Sequence, residues 1–93
     1  MSYEIVIQSE AILDIQEAFE WYEEQESGLG FEFIEEIESG YLKITKHPLH
    51  YTSINERFRR LRINRFPYLV VYEIEGSFII INAVRHISRK PKY

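Results

Sequence analysis

Apolar side chains recur along this chain with two different periods, and the change of period marks out its elements. Residues 3–8, Tyr-Glu-Ile-Val-Ile-Gln, are short and rich in β-branched side chains and read as a strand. Ser9 follows as the expected N-cap of a helix, with Glu10 favourable in its first turn. Ile12, Ile15, Phe19 and Tyr22 then fall at helical spacing, with Ala11 and Ala18 in the same stripe. Glu10, Asp14 and Glu17 mark the opposite, wet face. Ser27-Gly28 predicts the stop, because glycine adopts a left-handed cap at little cost. A second helix is expected after a very short turn around Leu29-Gly30. Its apolar stripe is Phe33, Ile37, Tyr41 and Ile44, and its wet side is Glu32, Glu35, Glu36 and Glu38. Gly40 inside it costs ~1 kcal/mol relative to alanine. Either the first helix or the sheet comes close there, or the helix bends. Pro48 ends the helix, since a residue before proline is pushed out of helical space. So short a connection predicts an antiparallel helical hairpin.

Beyond a loop, three runs read as strands: residues 57–63, 68–74 and 78–84. Asn64-Arg65 and Glu75-Gly76-Ser77 supply the turns. The last two runs are almost continuously apolar and so belong centrally. The first carries four arginines in seven residues and reads as an edge. The predicted fold class is α+β: a β-α-α-β-β-β chain whose helical hairpin packs on one face of a twisted, mainly antiparallel four-stranded sheet. The expected strand order is 1-4-3-2, with the whole of residues 1–93 one domain.

Alternation along the strands predicts which side chains share the uncovered face. Ile79, Ile81 and Ala83 suit the helix side, which turns Ile80, Asn82, Val84 and His86 outward. Leu61 and Ile63 face the helices and leave Arg60 and Arg62 open. Leu69 and Val71 match the helix side, leaving Tyr68, Val70 and Tyr72 on the open face.

Charge sharpens this picture. Residues 1–42 hold 12 acidic side chains and no Lys or Arg, whereas residues 43–93 hold 11 Lys or Arg and 3 acids, so −12 and +8 combine to the net −4. The basic half points to an anionic partner, or else each half neutralises the other within the fold. With no cysteine, disulfides, thiolate metal sites and cysteine nucleophiles are excluded. No apolar run approaches the ~20 residues that span a bilayer, and the N-terminus lacks the pattern of a signal peptide. A cytoplasmic protein is expected.

Guanidinium groups fork onto phosphate or carboxylate oxygens, tyrosines stack on unpaired bases, and histidine moves protons near neutral pH. The candidate anion- or target-binding set is therefore Arg59, Arg60, Arg62, Arg65, Tyr68, Tyr72, Arg85, Lys90 and Tyr93. Each has a plainer reading: arginines that guard an edge strand, tyrosines that pack, a histidine that bonds at a strand end. His47-Pro-Leu-His50 has near-metal spacing, but Pro48 breaks the helix that would align the pair, so no metal site and no cofactor is expected.

Several segments together carry a family resemblance: Asp14-Ile15, Ala18 and Trp21-Tyr22 on the first helix; Gly28-Leu29-Gly30 and Phe33; Pro48; Arg59-Arg60-Leu61; Arg65 through Tyr72; and Val84-Arg85-His86 with Arg89 and Pro91. In order and spacing the chain resembles toxins of the RelE/ParE family of bacterial type II toxin–antitoxin, or plasmid stabilisation, systems. The resemblance implies a growth inhibitor silenced by a cognate antitoxin, in a hetero-oligomer with it. The aromatic helix motif and the His-x-x-Arg-x-Pro ending look more like ParE, whose members poison DNA gyrase. The alternative is a RelE-like, metal-independent endonuclease acting on mRNA at the ribosome. There His86, Arg62 and Arg89 would be catalytic, with the RNA 2′-hydroxyl attacking the adjacent phosphate. A third reading is a binding domain without toxicity.

Overall fold

The computed structural model describes residues 2–88. In chain order they form β1 (Glu4–Ile7), α1 (Ser9–Gln25), α2 (Leu29–Lys46), β2 (Thr52–Ser53), β3 (Phe58–Arg62), β4 (Tyr68–Glu75) and β5 (Phe78–His86). The sheet order is β1-β5-β4-β3-β2, parallel between β1 and β5 and antiparallel elsewhere. This is the expected architecture with one strand more. The two residues of β2 pair with Arg59 and Arg60, so the arginine strand is not the edge that its charge suggested.

Helix boundaries differ from expectation in detail. Gln8, not Ser9, stands at the N-cap of α1 and makes no side-chain cap bond. Gly28 is left-handed at φ 93° but opens α2 rather than closing α1, so Leu29 and Gly30 are already helical. Glu23 supplies the missing cap from the neighbouring helix. Its carboxylate accepts the Gly28 and Gly30 amides at 3.1 and 2.8 Å. The buried stripe of α1 is Ala11, Ala18 and Tyr22, while Ile12, expected within it, is 51% exposed. Gly40 answers the question its sequence posed. A Cβ there would lie 3.0 Å from Leu61 and 3.4 Å from Ile63, so it is the sheet that comes close.

The core lies between the hairpin and one face of the sheet. Tyr22, Phe33, Phe66 and Tyr68 pack ring against ring, with centroids 4.9 to 6.2 Å apart. Ile37, Ile44, Val70, Ile79 and Ile81 continue it. The expectation for β4 is thereby reversed: Tyr68, Val70 and Tyr72 face the helices, and Leu69 and Val71 face away. A strand that is apolar on both faces gives no period from which its phase can be read.

The end of β5 is reversed too, for another reason. Glu73 pairs with Ile80 and Tyr72 with Ile81, but Val71 pairs with Ala83, so Asn82 is an extra residue in the ladder. This β-bulge shifts the pleat by one position. Ile79 and Ile81 lie on the helix side as expected, but beyond Asn82 it is Val84 and His86 that join them. Ala83 and Arg85 turn to the open face.

Candidate functional site

The cross-strand register builds the uncovered face row by row. Arg62, Leu69 and Arg85 form one row, Arg60, Val71 and Ala83 the next, and Phe58, Glu73 and Ile80 a third. Strands in a sheet lie roughly 4.8 Å apart, so Arg60, Arg62 and Arg85 share one face within two adjacent rows, with Arg85 two strands from Arg62. Arg60 and Arg62 are exposed and Arg85 half-buried. Neither Arg60 nor Arg62 makes an ion pair or hydrogen bond among the described residues. The acid within these rows, Glu73, is already matched: Arg57 Nε donates to its Oε1 at 3.1 Å and its side chain is only 10% exposed. Beside the rows lies a concave space of about 740 Å³. Phe58, Val71 and Ala83 line its floor, Ile54 and Asn55 one side, and Gln8 to Glu10 and Arg85 the other. An apolar floor with Arg85 at its rim, and Arg60 and Arg62 on the same face of the sheet, suits an amphipathic, acidic partner.

The remaining candidates are elsewhere. Tyr68 is in the aromatic core and Tyr72 is fully buried, its hydroxyl donating to the Pro48 carbonyl at 2.6 Å. Burial pushes the Tyr72 phenol up to about 12. Neither tyrosine offers a stacking surface. Arg59 points to the helix side and donates to the Leu49 and Tyr51 carbonyls at 3.3 and 2.8 Å, bracing the loop after α2. Arg65, left-handed at φ 71°, bonds Glu32 at 2.7 Å and reaches Glu36 at 3.9 Å, pinning the β3–β4 turn to α2. That hydrogen bond to Glu32 raises its already high pKa further. His86 packs edge-on against Tyr68 at 5.1 Å on the helix side, and its Nδ1 accepts the Ser88 amide at 3.1 Å. The sheet thus stands between the imidazole and Arg60, Arg62 and Arg85. Arg89, Lys90 and Tyr93 lie outside the described residues. His47 and His50 have ring centroids 6.4 Å apart, and the described residues bring no cluster of three potential metal ligands together.

Sequence reasoning missed the part played by Asp14, which was read as a solvated residue. Its Oδ2 accepts the backbone N–H of Val84 at 3.0 Å, across 70 residues of chain. Only the bulge brings that amide to the helix, and the sequence carries no clear sign of it.

A helical hairpin on one face of a five-stranded sheet, with Arg60, Arg62 and Arg85 on the other, defines a small α+β protein. The sequence matches the family model for the ParE toxin of type II toxin-antitoxin system, parDE, over residues 5–91, and the chain belongs to that family. It is a toxin component of a type II toxin–antitoxin system, with an antitoxin as its partner. The fold agrees with a solved chain titled "Chromosomal ParDE TA system from P. aeruginosa". That likeness has a TM-score of 0.81 at 13% identity and covers 94% of this chain and 98% of that one. No curated protein matches the sequence significantly. No helix among the described residues is long and apolar enough to cross a membrane.

Proposed function

We propose that this toxin arrests growth in the cytoplasm by poisoning DNA gyrase, and that Arg60, Arg62 and Arg85 are the side chains that grip its partners. The observation that carries the choice is the separation of His86 from these arginines by the sheet. An endonuclease of the RelE kind needs a proton carrier and phosphate-stabilising cations around one phosphodiester. Here the proton carrier and the cations occupy opposite faces, whereas a surface that binds a protein target needs only the cations. Family membership supports the same choice. In the silenced state an extended antitoxin segment, acidic and apolar in alternation, covers the arginines and the Phe58–Val71 floor. Arg89, Lys90 and Tyr93 follow Ser88 in sequence and carry two cations and an aromatic ring.

The test is expression of the chain with and without its antitoxin, followed by supercoiling assays with purified gyrase and primer extension on cellular mRNA. Arrest relieved by the antitoxin, lost supercoiling and intact transcripts are expected. Cleaved transcripts with unimpaired gyrase would establish the endonuclease instead. Unaltered growth in the absence of antitoxin would leave a binding domain without toxicity.

A further inference from the structure

We propose that Asp14 is a positioning residue for the arginine face: its carboxylate holds β5 in the bulged phase that presents Arg85, rather than His86, beside Arg60 and Arg62. This rests on the reading of that face as the binding surface.

The backbone geometry carries the inference. In a regular strand a residue's N–H and C=O point to the same flank, and successive residues alternate. Ile81 directs its carbonyl toward β1, where the Gln8 amide donates to it at 2.9 Å. That is the last bond on this flank, because β1 ends at Ile7 and the chain turns into α1. Without a bulge, Val84 would point its N–H at β4 and lie opposite Leu69 on the open face. Arg85 would lie opposite Tyr68, inside the aromatic core. The extra residue Asn82 inverts both features. The Val84 N–H now points to the flank that β1 has vacated, and Arg85 stands opposite Leu69 in the row of Arg62.

An amide in that position has no strand to pair with, and Val84 is only 3% exposed. An unmet donor there opposes the bulged phase. Asp14, in the second turn of α1, stands where the next strand residue would be and accepts the bond at 3.0 Å. It makes this bond only in the bulged phase, so it biases the ladder toward that phase by the whole of the interaction. A carboxylate acceptor makes a stronger bond than a neutral one, which suits a place with a single anchoring contact. Asp14 acts on the arginine face through the strand.

The experiment combines amide hydrogen exchange by NMR with a double-mutant cycle read as growth arrest in cells lacking antitoxin. In Asp14→Ala the Val84 amide exchanges roughly tenfold faster or more, as expected for a lost charge-assisted bond, while the Ile79 and Ile81 amides keep their protection. Asp14→Ala loses as much arrest as Arg85→Ala. The double variant loses no more than either, whereas Arg60→Ala adds its own loss to Asp14→Ala. Asp14→Asn, which keeps an acceptor, restores most of the arrest. If Asp14→Ala fails to fold, Asp14→Asn decides by exchange alone: a measurable rise confined to Val84 is expected. Unchanged Val84 exchange, or losses of Asp14→Ala and Arg85→Ala that multiply, would overturn the inference. Full arrest by Arg85→Ala would instead overturn the reading of the arginine face, and the exchange data would still report whether Asp14 locks the strand.

Discussion

The two faces of this sheet are made from the same three strands and obey opposite rules. On the helix side the central groups are enclosed: Tyr72, Phe33, Ile37 and Ile79 are fully buried, and the Tyr72 hydroxyl has its acceptor in the Pro48 carbonyl. On the other side Arg60 and Arg62 stand in solvent with no partner among the described residues, beside a concave space floored by Phe58, Val71 and Ala83. The first face spends its interactions on the fold. The second leaves two guanidinium groups in solvent. The contrast teaches that position relative to the sheet, more than residue type, separates side chains bound into the fold from those left in solvent here. Arg59 and Arg60 are neighbours, yet one braces a loop and the other faces solvent.

The comparison breaks most readily on the closed side. Phe33→Ala should remove about 3–5 kcal/mol of stability, since it empties the centre of the aromatic cluster. Chemical denaturation would measure it. A midpoint close to the parent's would mean that this face is not the core. Gly30→Ala tests the hairpin itself, because a Cβ would sit 2.7 Å from the Phe19 carbonyl oxygen. A loss of roughly 1–3 kcal/mol is expected. Tyr72→Phe removes one buried hydrogen bond and should cost about 1–2 kcal/mol by the same assay.

The same phenol gives a pH test. Its pKa is about 12 in the folded protein against 10.0 in its ordinary state, and burial likewise pushes Tyr41 up to about 12. Both groups favour the folded state fully while the unfolded phenols remain protonated. Above pH 10 the unfolded chain loses these protons first, so stability falls as pH rises toward 12. A midpoint that holds constant across this window would contradict the burial of both rings. The smallest effect on stability belongs to the open face: Arg60→Ala and Arg62→Ala should change it by less than about 0.5 kcal/mol while weakening growth arrest. A large loss of stability there would make these arginines structural after all.

Much of this contrast was legible in the sequence. The helical stripes, the element order and the strand order follow from periodicity and turns, and β3 alternates cleanly enough that Leu61 and Arg62 declare their sides. The phase of β4 was not legible, because Leu69, Val70 and Val71 are apolar whichever way they face. Nor was the bulge, since Asn82 looks like any polar residue in a strand and its consequence appears only in the ladder with β4. Without that one extra residue the alternation of β5 puts His86 among the arginines, where the ladder places Arg85 instead. The role of Asp14 was hidden for the same reason: its partner is a backbone amide, which has no signature in the sequence.

Growth arrest by His86→Ala and Arg85→Ala, induced side by side without antitoxin at matched protein levels, addresses the central assignment most directly. The structure sets these adjacent residues on opposite faces, so the arginine variant should lose toxicity and the histidine variant should keep it. Loss with His86→Ala and retention with Arg85→Ala would contradict the account.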